Sequence, residues 1–97
     1  MKDYKILIVD DYDYDRFIIS SYLTTEKEIK YRILEAESVK RAIEILNSTQ
    51  VDCLVTDYNL IGGSGLLLMD KIKAEYPNIV GVMMSGTNDA KSLKLFA

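Results

Sequence analysis

Three acidic residues in this sequence each come directly after a short apolar run. Asp10 and Asp11 follow residues 6–9 (ILIV), and Asp57 follows residues 53–56 (CLVT). If the two runs form neighbouring parallel strands, the three carboxylates meet at the same end of one sheet. Like charges about 4 Å apart repel by roughly 4 kcal/mol at an effective dielectric near 20. Because such a cluster costs stability, it indicates a bound cation or a reacting group.

Carboxylates with few other polar partners suit a hard, oxygen-seeking cation such as Mg²⁺. Beside this cation, one carboxylate can act as a nucleophile toward a phosphoryl group and form an aspartyl phosphate. The hydroxyl of Ser85, after another apolar run, could contact a phosphoryl oxygen. The chain contains no His, which excludes Ser-His-Asp chemistry, His-ligated zinc and an internal phosphohistidine.

Composition places the chain among small globular domains. Its 97 residues are 48% hydrophobic and 28% charged, enough for one domain over residues 1–97. A net charge of −3 argues against sequence-independent nucleic-acid binding. No apolar run is long enough to span a membrane, and no signal peptide opens the chain. The single Cys53 fits a reducing compartment, so we expect a cytoplasmic protein with no membrane or nucleic-acid partner.

Apolar runs alternate with amphipathic stretches, which is typical of βαβ units. We predict strands over 5–9, 31–35, 53–56 and 79–84, the second of them an edge strand. Three helices are predicted between them: 14–25 with Asp13 as its N-cap, a helix capped by Ser38, and 66–76, which Pro77 ends. The first helix is expected to bury Phe17, Ile18, Tyr22 and Leu23. The second and third are expected to bury Val39, Ala42, Ile43 and Leu46, and Leu68, Met69 and Ile72.

The glycine-rich stretch 59–65 is predicted to be a loop, and 85–88 a turn. A fourth helix is expected from Asp89, with Lys91 and Lys94 on its solvated face. Short right-handed crossovers then give an α/β doubly wound parallel sheet ordered 2-1-3-4. In that order the carboxyl ends of strands one and three flank the crevice where ligands bind. Asp10, Asp11, Asp57 and Ser85 would all lie at that end.

The segments ILIVDDYDYDR, LVTDYNLIGGSG and VGVMMSGTND resemble the receiver domain of two-component response regulators, which has a flavodoxin-like fold. The resemblance covers nearly the whole chain. It implies that Asp57 is the phosphoacceptor and that Asp10, Asp11, Asp57 and the backbone carbonyl of Asn59 hold Mg²⁺. Ser85 would move onto the phosphoryl group and switch the surface.

The implied phosphoryl donor is a phosphohistidine on a partner histidine kinase or phosphotransfer protein. The chain would then be an acceptor that can lose its phosphoryl group by itself, and not a turnover enzyme. Gly65 would open the third helix, as the loop glycine of the family does. Tyr12, Tyr14 and Tyr58 are expected to give partial cover to the core.

Two departures from the family pattern stand out. Ile61 occupies a position where the family often has Pro. The sequence also stops at Ala97, before the usual fifth strand, its phosphate-contacting Lys and the fifth helix. We therefore expect a C-terminally incomplete receiver domain whose fourth strand is an exposed apolar edge. Such an edge favours a homodimer or a domain swap.

Three alternatives compete with this hypothesis. A receiver-like module that binds partners without being phosphorylated would also explain why the expected fifth strand and its Lys are missing. Asp11, Asp13 and Asp15 imitate the start of an EF-hand loop, but Arg16 and Tyr22 stand where that loop needs Gly and Glu. The acid-after-strand pattern also resembles phosphatases of the haloacid-dehalogenase type, which need a cap and a longer chain.

Overall fold

The computed structural model describes residues 3–25, 28–60, 62–87 and 90–96, with 85–87 and 90–96 described by their backbone. The helices are α1 (Asp13–Thr24), α2 (Val39–Ser48) and α3 (Gly65–Glu75). The strands are β1 (Asp3–Val9), β2 (Lys30–Ala36), β3 (Cys53–Asp57), β4 (Asn59–Leu60), β5 (Gly63–Ser64), β6 (Val80–Thr87) and β7 (Ala90–Phe96). In the described part of the chain, no helix has the length and apolar character needed to cross a membrane.

The main sheet has the order β2-β1-β3-β6-β7. Its first four strands are parallel, which confirms the predicted 2-1-3-4 order and the flavodoxin-like, doubly wound class. Leu7 of β1 pairs with Leu54 of β3, and Asp57 pairs with Met84 of β6. This register puts the carboxyl ends of β1 and β3 side by side, as the sequence predicted.

Strand β1 is apolar throughout its second half because both faces of the sheet are covered. Leu7 and Val9 point to the face under α2 and α3, whereas Ile6 and Ile8 point to the face under α1. The first face carries the larger core, whose helical members are Ala42, Ile45, Leu46, Leu68, Met69 and Ile72. The buried residues of the second face are Ile6, Ile8, Val55 and Met84.

Two of the three helices begin at a serine that caps the first turn, and the Ser38 cap was predicted. The Ser38 hydroxyl accepts a hydrogen bond from the Arg41 N–H at 3.2 Å, and the Ser64 hydroxyl accepts one from the Leu67 N–H at 3.2 Å. Each cap satisfies a backbone donor that the first helical turn leaves without a partner. The predicted Asp13 cap is wrong, because Tyr12 takes the N-cap position without a side-chain cap bond and Asp13 is the first helical residue.

The predicted inner face of α1 is also wrong in part. Phe17, Ile18 and Tyr22 are exposed, while Ile19 and Leu23 pack against the smaller core. The helix has two apolar stripes, and only contact with the sheet decides which of them faces inward. Leu23 is the one predicted member that packs against the sheet.

The C-terminal segment differs most from the prediction. The expected turn at 85–88 and the helix after it are replaced by continuation of β6 to Thr87 and by β7, which pairs with it antiparallel. Leu93 and Leu95 alternate with Lys94, which is the period of a strand. Asn88, which the predicted turn included, and Asp89, where the predicted helix began, lie outside the described residues.

The antiparallel β6–β7 pair has two consequences for the predictions. The main sheet does have a fifth strand, but it runs antiparallel, and Lys91 and Lys94 lie in it and not on a helix. In addition, β6 is paired on both sides, so the expectation that the fourth main strand is an exposed edge is wrong. The homodimer or domain swap through that strand therefore loses its structural basis.

Candidate functional site

Three carboxylates converge at the carboxyl ends of β1 and β3. Asp10, Asp11 and Asp57 each offer an oxygen, and these three oxygens all lie within 4.8 Å of one another. Asp10 and Asp11 belong to the turn between β1 and α1, and Asp57 is the last residue of β3. The parallel register of these strands is therefore what assembles the cluster. At this separation each pair of charges repels by roughly 3 to 4 kcal/mol at an effective dielectric near 20.

Asp10 is completely buried and held by the backbone around it. Its N–H donates to the Ala36 carbonyl at 3.0 Å, which extends the β1–β2 pairing by one residue. Its Oδ1 accepts the Tyr12 N–H at 2.9 Å. These contacts fix the turn that contains Asp10 and Asp11. The carboxylates of the two residues lie beside each other.

Asp11 carries the clearest sign of a ligand. Its Oδ1 is buried and has no hydrogen-bond partner among the described residues. A buried polar atom without a partner costs about 1–3 kcal/mol, and more when the group is charged. Such an atom in a native fold calls for an explanation such as an ion or a water. Together with the purely oxygen-based cluster around it, this atom fits a hard cation.

The end of β3 is shaped by close backbone packing. The Tyr58 N–H donates to Asp57 Oδ1 at 2.8 Å and so orients the carboxylate. The buried Thr56 hydroxyl donates to the Asp57 backbone carbonyl at 3.0 Å. Gly65 lies against the same carbonyl, since a Cβ added to it would be 1.9 Å from that oxygen.

Gly65 is also the first residue of α3, as the resemblance implied. Its N–H donates to the Tyr58 carbonyl at 2.6 Å. The predicted loop 59–65 contains the short antiparallel pair β4–β5, in which Asn59 pairs with Ser64. Gly62 has a φ of 82°, a left-handed conformation that favours glycine. Ile61, noted for the missing Pro, lies outside the described residues.

The roles assigned to all the predicted site residues remain predictions, among them those of Asn59 and Ser85. Asn59 lies two residues after Asp57, in β4, and its backbone carbonyl is the proposed ligand. Ser85 directly follows Met84, the partner of Asp57 in the sheet, so its backbone lies at the same end. The side chain of Ser85 lies outside the described part of the chain.

Sequence reasoning missed Arg16 and misjudged the tyrosines. The Arg16 guanidinium contacts the Asp10 carbonyl and the carboxylates of Asp13 and Glu35. The i,i+3 spacing from Asp13 could have indicated one of these contacts, but Glu35 is distant in sequence. Tyr12, Tyr14 and Tyr58 are exposed and do not cover the core as expected.

The comparisons with known proteins agree with this geometry. Residues 6–96 match the family model of the response regulator receiver domain. The chain therefore belongs to the response regulator receiver domain family of two-component systems.

Individual relatives support the assignment. The two-component response regulator ORR3 of Oryza sativa subsp. indica is 35% identical over 92 residues, which cover 92% of this chain and 68% of that protein. A cyclic di-GMP phosphodiesterase of Thermotoga maritima is 34% identical over 89 residues, or 92% of this chain. The match spans only 23% of that enzyme, and between 38% and 40% of two other curated relatives.

A solved structure shares the fold. The response regulator protein TrrA of Thermotoga maritima, in complex with Mg²⁺ and BeF, superposes with a TM-score of 0.78 at 24% identity. The alignment covers 89% of this chain and 72% of that one. The receiver fold is thus established for this chain.

Proposed function

We propose that this receiver domain accepts a phosphoryl group on Asp57 with the help of Mg²⁺. The observation that carries the proposal is the convergence of three carboxylates around the buried Asp11 Oδ1, which has no hydrogen-bond partner among the described residues. A charge cluster of this kind is costly in a ligand-free fold and favourable when a divalent cation is bound. The Mg²⁺ and BeF bound to the Thermotoga maritima structure are consistent with the same chemistry.

Asp10, Asp11, Asp57 and the Asn59 carbonyl would hold the cation, and waters would complete its oxygen shell. When bound, the cation would offset negative charge on the transferring phosphoryl oxygens. The Tyr58 N–H, which donates to Asp57 Oδ1, would keep the carboxylate oriented for attack. The Ser85 hydroxyl would contact the phosphoryl group after transfer.

The donor is proposed to be a phosphohistidine on a histidine kinase or phosphotransfer protein of the cytoplasm. A carboxylate oxygen of Asp57 attacks phosphorus, the new O–P bond forms, and the P–N bond breaks with its electron pair returning to the imidazole. Because these 97 residues contain no His, the donor histidine lies outside them. The proposed role of this domain is that of an acceptor, which autodephosphorylation can return to the free carboxylate, and not that of a turnover enzyme.

Acetyl phosphate provides a direct test that needs no kinase. With Mg²⁺ present, intact-protein mass spectrometry should detect the mass of one added phosphoryl group. Asp57→Asn should abolish the adduct. Asp70→Asn, the same chemical change at an exposed position of α3, should keep it and serves as the matched control.

Two results would contradict the proposal. One is an adduct that persists in Asp57→Asn, which would assign the chemistry to another residue. The other is a folded wild-type protein that binds Mg²⁺ but forms no adduct. That second result would favour the alternative of a receiver-like module that binds its partners without being phosphorylated.

A further inference from the structure

The Arg16 side chain is the one nearly buried cation that contacts the acidic turn in the described part of the chain. Its side chain is only 11% exposed. All three nitrogens of the guanidinium are used: Nη1 donates to the Asp10 carbonyl at 2.5 Å, Nε to Glu35 Oε1 at 3.1 Å, and Nη2 to Asp13. A planar guanidinium can make these three bonds in fixed directions, whereas an ammonium cannot.

The three acceptors belong to three different parts of the fold. The Asp10 carbonyl is in the turn directly after β1, Asp13 is the first residue of α1, and Glu35 lies in β2. Arg16 itself is in the first turn of α1 and its N–H donates to the Tyr12 carbonyl at 3.3 Å. One side chain therefore ties the turn carrying Asp10 and Asp11 to the helix after it and to the neighbouring strand.

These contacts complete the fixation of the Asp10 backbone. The N–H of Asp10 is bonded to Ala36, its carbonyl to Arg16, and its Oδ1 to the Tyr12 N–H. The carbonyl of Asp10 belongs to the peptide group that precedes Asp11. Holding that carbonyl sets the orientation of the peptide and hence the direction from which Asp11 projects.

The charge of Arg16 by itself would act against cation binding. A positive group close to a cation site repels the ion, and removing it should tighten binding on Coulomb's law alone. In this structure the charge is also engaged by Asp13 and Glu35, two carboxylates outside the cluster. Geometry and charge therefore predict opposite signs for the effect of removing Arg16.

We propose that Arg16 is a positioning residue for the metal site, holding the Asp10–Asp11 turn so that the Asp11 carboxylate stays within the acidic cluster. The inference rests on the proposed function only in assuming that this cluster binds a divalent cation. Arg16 contributes through the three bonds of its guanidinium and not through its charge.

Magnesium titration of the metal-free protein, followed by calorimetry, tests this directly. Arg16→Ala should weaken Mg²⁺ binding by about 10-fold or more, the range found for groups that orient metal ligands. Arg16→Lys keeps the positive charge but loses the planar guanidinium with its three donor nitrogens. It should therefore weaken Mg²⁺ binding to a similar extent. Arg41→Ala is the matched control, because Arg41 is an exposed arginine of α2 paired with Glu44, and it should leave the affinity unchanged.

The direction of the change in Mg²⁺ affinity distinguishes the positioning role from a simple charge effect. Unchanged or tighter binding by Arg16→Ala would overturn the proposal, as would wild-type affinity in Arg16→Lys. A loss of folding stability without a loss of Mg²⁺ affinity would show a purely structural role and would also overturn it. If Arg16→Ala does not fold, Arg16→Lys alone tests the proposal. Weaker Mg²⁺ binding by this variant supports the proposal, and wild-type or tighter binding overturns it.

A second measurement does not depend on the metal. In the metal-free protein, hydrogen exchange of the Tyr12 N–H, which is bonded to Asp10 Oδ1, should be faster in both Arg16 variants than in Arg41→Ala. Equal exchange in all of them would contradict the positioning role. A wild-type chain that binds Mg²⁺ without forming a phosphoryl adduct would refute the phosphoacceptor proposal while the affinity comparison for Arg16 still holds.

Discussion

The face of the sheet under α2 and α3 and the face under α1 are built on the same strands but are packed differently. Beneath α2 and α3, side chains of both helices are fully buried against β1, β3 and β6. Beneath α1, the strands contribute the buried residues and every residue of the helix keeps some exposed surface. The stability of the domain is therefore expected to come mainly from the first face.

The difference is visible in how closely the helices approach the sheet. On the α2 and α3 side, Gly81 of β6 leaves room for Met69, since a Cβ at Gly81 would be 2.3 Å from the Met69 sulfur. On the α1 side, Phe17 is 65% exposed and Tyr22 is 78% exposed. One face thus buries helix side chains in close contact with the sheet, and the other holds its helix through fewer side chains.

The acidic site lies between these two regions and draws on both. Asp11 lies in the turn before α1 and Arg16 lies in α1, whereas the backbone carbonyl of Asp57 packs against Gly65 of α3. A tightly packed face gives Asp57 a fixed position. On the α1 side, where fewer side chains are buried, the hydrogen bonds of Arg16 hold the turn that contains Asp10 and Asp11.

The strongest test of this asymmetry compares one truncation on each face. Leu68→Ala on α3, where Leu68 is 1% exposed, should lower the free energy of unfolding by about 2–5 kcal/mol, because it removes buried contacts and leaves a cavity. Phe17→Ala on α1 should change it by only about 0.5 kcal/mol or less. Urea unfolding measures both, and equal losses would show that the two faces contribute alike.

A smaller effect is expected from adding a methyl group to the packed face. Gly65→Ala would push a Cβ against the Asp57 carbonyl, so it should cost about 1–3 kcal/mol of stability through overpacking and weaken Mg²⁺ binding. Gly63→Ala is the control, since its Cβ would meet only the Val39 side chain, at 3.2 Å. A Gly65→Ala protein with wild-type stability and affinity would mean that the end of β3 is not tightly held.

The smallest effect concerns Cys53, which is partly buried against the α1-side core. Burial, and secondarily the Asp52 carboxylate, raises the pKa of its thiol. The unfolded thiol ionises first as pH rises, so the associated stability is complete below the unfolded pKa of about 8.5 and is lost as pH passes through the higher folded value. The unfolding free energy of the wild type should therefore fall more steeply than that of Cys53→Ala above this pH. Parallel profiles would contradict the burial of the thiol.

Much of the fold could be predicted from local sequence patterns. The apolar runs of β1 and β3, the Ser38 cap with its helical periodicity, and Pro77 after α3 are each encoded within about ten residues. Their order along the chain predicts the parallel sheet, because crossovers are short and right-handed. The convergence of Asp10, Asp11 and Asp57 follows from that topology, which is why it could be expected before the structure.

What the sequence could not decide depends on contacts between distant segments. The two apolar stripes of α1 are both helical in period, and only the position of the sheet selects Ile19 and Leu23 over Phe17 and Tyr22. The segment 90–96 is short enough to suit a helix or a strand, and pairing with β6 fixes it as a strand. The contact between Arg16 and Glu35 joins residues 19 positions apart. Local pattern thus determined the three helices, the four parallel strands and their order. The choice of buried face, the antiparallel pairing of residues 90–96 and the fixation of the acidic turn arose only when the folded chain brought those groups together.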